Sequence, residues 1–140
     1  MDRDLVLFIT GRVTEAVNRY LTAQLRRHDM GELAVSHAEI LGILSRRGSV
    51  RLKELAALIG KDKSTVTALT KKLLAMGYIR KADDPSDSRV TLIGLTEKGK
   101  GLVPEINAIS ARLRKKAYRG LSDGERDELA RLLNRIRGNF

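Results

Sequence analysis

Lys53-Glu54-Leu55-Ala56-Ala57-Leu58-Ile59-Gly60-Lys61-Asp62-Lys63-Ser64-Thr65-Val66-Thr67-Ala68-Leu69 is the stretch whose reading decides the fold. Ala56, Gly60 and Val66 stand at relative positions 0, +4 and +10, and each has a steric reason. A small Ala lets two helices approach closely. Gly adopts the left-handed conformation that ends a helix. A branched apolar residue at Val66 packs the second helix back onto the first. Asp62 is the expected N-cap of that second helix. On the same pattern Val66, Leu69, Leu73 and Leu74 point inward, and Ser64, Thr65, Thr67, Ala68, Lys71 and Lys72 face out. Small hydroxyl residues opening an exposed helix, followed by lysines, suit a major groove: they meet base edges and thymine methyls while the lysines meet phosphates. An ordinary hairpin of helices with a solvated charged face fits these spacings equally well.

The residues that follow separate the two readings. Gly77 ends the second helix. Tyr78–Ala82 and Arg89–Leu95 are rich in strand formers. Between them Asp83-Asp84-Pro85-Ser86-Asp87-Ser88 is turn chemistry, too polar to bury, so it projects as a loop between two strands. Arg89, at the base of this loop, suits a narrow minor groove, whose negative potential attracts arginine. Asp87 lies two residues earlier, on the same side of an extended chain, placed to hold the guanidinium in a bidentate fork. As a mere surface ion pair the same two residues would contribute less than ~1 kcal/mol. Helix, turn, helix and a polar-tipped hairpin together read as a winged helix-turn-helix.

Long helical patterns flank this unit. Over residues ~4–28, Leu5, Phe8, Ile9, Val13, Ala16, Val17, Tyr20, Leu21 and Leu25 recur at three- and four-residue steps, with Asp2 or Asp4 available as caps. Ser36-His37-Ala38-Glu39 has capping-box spacing and opens a helix that stops at Gly48. Val50 is placed to pair as an edge of the hairpin. Thr96 caps a helix over ~96–118 with Leu102, Val103, Ile106, Ile109 and Leu113 on one stripe, and Arg112, Arg114, Lys115, Lys116 and Arg119 on a solvated face. Ser122-Asp123-Gly124-Glu125 is a second capping box, before a helix carrying Leu129, Leu132, Leu133 and Ile136. The first and last helices hold more apolar surface than one small lobe covers, which predicts a two-fold contact with a second subunit.

A net charge of +10 over 140 residues favours an anionic partner, nucleic acid before an acidic membrane surface. The absence of cysteine removes disulfides, thiol redox chemistry and thiolate metal sites. The N-terminal stretch fits neither a signal peptide nor a membrane span, so the expected location is the cytoplasm. No Gly-rich phosphate loop follows a strand, and no Ser/His/Asp set has supporting context, so we expect neither an enzyme nor a cofactor. His28 and His37, with Glu32 and Glu39 near in sequence, are too few for a dedicated metal site, and none is expected.

Taken together, residues 53–99 resemble the MarR family of transcriptional regulators. The matching pieces are Glu54-Leu55-Ala56 with Gly60, Ser64-Thr65-Val66-Thr67 followed by Leu69 and Leu73, and Gly77-Tyr78-Ile79-Arg80. Asp84-x-x-Asp87-x-Arg89 and Leu95-Thr96-Glu97-Lys98-Gly99 complete them. The resemblance implies a single, mainly α domain with a small β-hairpin wing. Residues 36–95 form its DNA-binding lobe, and 1–30 and 96–140 its dimerisation helices. It implies a homodimer on a pseudo-palindromic operator in double-stranded DNA, usually as a ligand-responsive repressor. By position, Lys63, Ser64, Thr65, Thr67 and Ala68 fall where the family reads bases, Arg89 on the wing arginine and Asp87 on the acid that positions it. Arg51 stands where relatives often carry a Thr or Ser cap, which leaves the helix start less firm or makes Arg51 a phosphate contact. Ser88 replaces a commonly basic wing residue. Relatives often bind small aromatic anions between the dimerisation helices and the lobe; here Arg12, Tyr20, His37 and Tyr118 are the expected approach. A non-specific architectural DNA-binding protein and a winged-helix adaptor between proteins are the rival readings.

Overall fold

The computed structural model describes residues 2–140. A short 3-10 turn, Arg3–Leu5, is capped by Asp2, whose carboxylate accepts from the Asp4 N–H at 3.0 Å. It feeds helix α1, Val6–Arg27, which ends at His28 and a left-handed Asp29 with φ 59°. Helix α2, Val35–Arg47, starts earlier than the Ser36 box predicts. Its N-cap is Ala34, which has no side-chain acceptor, and Ser36 lies inside the first turn. His37 occupies the third helical position and does the work expected of a glutamate there: its Nδ1 accepts from the Ala34 N–H at 2.9 Å. Burial of Met30 and Leu33 fixes the entry of the chain, and this tertiary packing overrides the local Ser-x-x-Glu signal.

Strand β1, Val50–Arg51, runs straight into helix α3, Leu52–Ile59. Gly60 ends α3 in the left-handed conformation, φ 67° and ψ 33°. Helix α4, Lys63–Ala75, is capped by Asp62, which accepts from the Thr65 N–H at 2.7 Å and the Ser64 hydroxyl at 2.8 Å. Val66 and Leu73 are fully buried, while Leu69 and Leu74 are only half-buried. Thr70 is buried beside them, and its hydroxyl donates to the Thr67 carbonyl at 3.1 Å.

Strands β2, Ile79–Asp84, and β3, Asp87–Leu95, are longer than expected, and the six-residue loop 83–88 contracts to a Pro85-Ser86 turn. The Asp84 carboxylate closes it, accepting from the Ser86 N–H at 2.9 Å and the Ser86 hydroxyl at 2.7 Å. The sheet is antiparallel in the order β1-β3-β2, with Val50 opposite Ile93 and Ile79 opposite Leu95. The third strand matters because an isolated two-stranded hairpin is marginal in water.

One core joins these pieces. Ile40, Leu41, Leu44, Leu55, Val66, Leu73 and Ile93 are at its centre, with Leu25 from α1 and Ile106 and Ile109 from helix α5, Glu97–Ala117. Helix α6, Asp123–Arg137, places no residue in that core. Its apolar stripe stays open: Leu129, Leu132, Leu133 and Ile136 are 36–42% exposed. At the other end of the chain Leu7, Phe8 and Val13 are exposed as well.

Helix α5 is anchored to the lobe by Thr96. Its hydroxyl donates to the Gly77 carbonyl at 2.6 Å and accepts from the Gly99 N–H at 3.1 Å. Gly99 lies so close to the Tyr78 carbonyl that an added Cβ would overlap it. Gly99→Ala is therefore expected to lower stability by about 2 kcal/mol through overpacking, read as an earlier midpoint in denaturant melts. A midpoint matching the parent protein would show that this junction has slack.

Candidate nucleic-acid interface

The exposed side of α4 gathers Lys63, Ser64, Thr65, Thr67, Ala68 and Lys71, all open to solvent at and beyond its N-terminus. The Asp62 cap sets the frame. Hydrogen bonds from Thr65 and Ser64 hold its carboxyl below the usual carboxylate range, so it stays ionised at the positive end of the helix. Two hydroxyl protons are already committed, that of Ser64 to Asp62 and that of Thr67 to the Lys63 carbonyl at 2.8 Å. What these two side chains offer outward is acceptor lone pairs and, at Thr67, a methyl group.

The wing carries the second half. The Arg89 Nε and Nη2 donate to the two Asp87 oxygens at 3.1 and 3.2 Å, the bidentate fork expected from their spacing. Asp87 also accepts from the Arg89 N–H at 3.0 Å, so one carboxylate fixes both backbone and side chain. These bonds, the guanidinium's first, hold the Asp87 carboxyl below its ordinary range. The Arg89 side chain is 89% exposed, a cation held in one direction and otherwise free.

Arg51 and Lys72 sit differently from expectation. Arg51 is the N-cap residue of α3 without a side-chain capping bond; its Nη2 instead reaches the wing and pairs with Asp84 at 3.0 Å. Lys72 is exposed, but its Nζ donates to the Glu32 carbonyl at 2.9 Å, tying the end of α4 to the turn between α1 and α2. Glu32 also accepts from the Tyr78 hydroxyl at 3.3 Å. No spacing in the sequence marks Glu32 and Tyr78 as partners, because 46 residues separate them.

The four residues expected to approach an effector are not brought together. Arg12 is exposed on α1. Tyr20 lies under Lys116, and Tyr118 under Arg126, as cation–π pairs at 5.8 and 5.4 Å. His37 is buried at the start of α2. A cavity of ≈ 400 Å³ lies instead between α1, α2 and α5, over an apolar floor that includes Leu21, Leu25, Ile106 and Ile109. Its polar lining is Asn18, Glu39, Arg46, Asn107, Ser110 and Arg114. Burial raises the Glu39 carboxyl above its usual range, against the pull of Lys61 and Arg46. A signal for this cavity existed: Asn107, Ser110 and Arg114 recur at helical spacing beside the apolar stripe of α5, and read alone they pass for a solvated face.

His37 gives a pH dependence. Burial first and the nearby Lys72 second push its pKa below the ordinary 6.5. Its Nδ1 accepts from Ala34, so the neutral ring carries its proton on Nε2 and a second proton removes the cap. The folded state binds that proton less tightly than the unfolded chain. The stability from His37 is thus complete above pH 6.5 and is lost as pH falls below it through the folded value. His37→Gln keeps an acceptor for Ala34 without titrating, so its melting temperature should fall less than the parent's between about pH 7 and pH 5. Equal falls would assign the acid sensitivity elsewhere. His28 has its own partners, Glu105 at 3.0 Å and Arg112 at 3.1 Å, which join the end of α1 to α5 and occupy one of the cations read as solvated.

Among the described residues no cluster of three or more His, Asp or Glu side chains converges in a way that would hold a metal, and no helix is long and apolar enough to cross a membrane. The model of the MarR family matches residues 33–91, the span from the α1–α2 turn to the rising strand of the wing. The HTH-type transcriptional regulator SarZ of Staphylococcus haemolyticus is 28% identical over 96% of this chain and 86% of its own. The crystal structure of the transcriptional regulator SlyA superposes with a TM-score of 0.84 at 26% identity, covering 96% of this chain and 92% of that one. BpsR of Bordetella bronchiseptica, described for the regulation of its DNA binding by 6-hydroxynicotinic acid, superposes at 0.82 with 22% identity over 94% and 92%. The match over residues 33–91 identifies the winged helix-turn-helix of this chain as that of the MarR family of transcriptional regulators.

Proposed function

We propose that the protein is a ligand-responsive repressor that binds a pseudo-palindromic operator as a homodimer, with residues 36–95 as reading lobe and 1–30 and 96–140 as dimerisation helices. The observation that carries this is the shared exposure of the α4 face and Arg89, one shaped for a major groove and the other for the adjoining minor groove. Lys63, Ser64, Thr65, Thr67 and Ala68 meet base edges. The lone pairs left on Ser64 and Thr67 favour the exocyclic amino groups of adenine or cytosine, and the methyl of Thr67 and the side chain of Ala68 favour thymine. Lys71 meets phosphate. Lys72 does so only by leaving the Glu32 carbonyl. Two such lobes reach successive major grooves about one helical turn apart.

Selection of bound duplexes from random DNA tests the reading. Enrichment of two half-sites related by a two-fold axis and centred about 10 base pairs apart supports it. Equal retention of all sequences would assign the protein to architectural binding, and no retention at physiological salt to a protein adaptor.

The cavity between α1, α2 and α5 is the effector site in this reading. Its apolar floor takes a ring, and Arg46 or Arg114 a carboxylate, a ligand chemistry like that of the hydroxynicotinic acid named for BpsR. Such a ligand releases DNA by favouring one spacing of the lobes over the other. A thermal-shift panel of phenolic and pyridine carboxylic acids, followed by DNA release, identifies the class.

A further inference from the structure

Asp84 and Asp87 face each other across the two-residue wing turn, where the pairing register sets them directly opposite. Asp83 adds a third carboxylate in the same hairpin, which itself holds Arg80, Lys81 and Arg89. Arg89 covers Asp87 from within the hairpin. Asp84 is covered from outside it, by Arg51. The Asp84 carboxylate divides its work. Oδ1 accepts both Ser86 donors and shapes the turn, and Oδ2 accepts from Arg51 at 3.0 Å. Its side chain is 11% exposed with the Arg51 guanidinium paired to it. Arg51 is also fixed at its other end: its backbone pairs opposite Leu92 in β3 and forms the N-cap of α3.

We propose that Arg51 is a positioning residue that sets the wing against the helix-turn-helix by holding Asp84, and that it is not itself a phosphate contact. One carboxylate links the tip of the wing to the start of α3, so the reach of Arg89 is referenced to the same element that supports α4. The pair also cancels a negative charge at the point where the wing meets a polyanion. This rests on the reading of the wing as a DNA-facing element.

A double-mutant cycle on the full-length protein tests it, with the duplex recovered from random-DNA selection as probe. Arg51→Met should weaken binding about fivefold in the native background and less than about twofold in an Asp84→Asn background, where the Ser86 contacts keep an acceptor but the ion pair is gone. The slope of log affinity against log salt should not change on Arg51→Met. A phosphate contact predicts the opposite: an equal or greater loss beside Asp84→Asn, and a slope smaller by about 0.9. That result overturns the proposal. Arg89→Ala is measured alongside. If it binds as tightly as the parent, the wing reading falls and takes the brace with it; if it binds weakly while the cycle is additive, the brace alone falls.

Discussion

Leu129→Asp combined with Leu133→Asp is expected to yield a monomer of 15.6 kDa in sedimentation and to weaken binding to a two-half-site duplex by about a hundredfold or more. Helix α6 has 15 residues and packs none of them into the protomer's core. An isolated helix of about that length is marginal in water, so its capping box at Ser122 and Glu125 does not account for its order. The four open apolar side chains stand at i, i+3, i+4 and i+7, one narrow face. Covering the 36–42% of each that remains exposed contributes roughly 0.6–1.2 kcal/mol per side chain, and a two-fold axis doubles every contact. Two aspartates on this face would place unpaired carboxylates in the same surface. The loss on DNA then follows from the second half-site becoming a separate event rather than an intramolecular one. A variant that still sediments as a dimer would place the interface elsewhere on the chain.

Arg89→Ala is the other large effect, expected to cost about 1–3 kcal/mol in DNA affinity, or roughly five- to 150-fold, with no change in thermal stability. The two parts of that expectation have different grounds. The side chain is 89% exposed and its polar partner is the neighbouring Asp87 of the same hairpin, so the fold does not depend on it. Its donors are nevertheless aimed by a fork, so little rotamer freedom remains to be lost on binding. Asp87→Asn should weaken binding less, since it keeps the cation and loses only its aim. Gel shifts of Arg89→Ala at parental affinity would remove the wing from the interface.

Most of this site was legible because its signals are local. Asp62, Gly60, Thr96 and the Ser122 box each act within a few residues of themselves, and all sit where their chemistry predicts. The Asp87–Arg89 fork is likewise a two-residue matter. The misses have the opposite character. Ser36 lost its capping role to Ala34 and His37 because burial at Met30 and Leu33 sets where α2 begins. Lys72 and Arg51 look like free cations in sequence, yet their partners, Glu32 and Asp84, lie 40 and 33 residues away. The effector candidates Arg12, Tyr20, His37 and Tyr118 were chosen by residue type. The cavity is made by the angle between three helices, which no residue type encodes.

The Thr96 junction has a mechanical consequence. One hydroxyl fastens the end of α4, at Gly77, to the first turn of α5, and the Tyr78 carbonyl fills the space beside Gly99 that would otherwise give play. A joint without play transmits rotation undiminished. Helix α4 is 13 residues long, so its far end lies about 20 Å from this pivot. A tilt of α5 by about 5° therefore carries Lys63 and Ser64 through an arc of about 2 Å, more than half the length of a hydrogen bond to a base. In the proposed dimer α5 would turn at this joint and α4 is the arm it drives, with Lys63 and Ser64 at the tip.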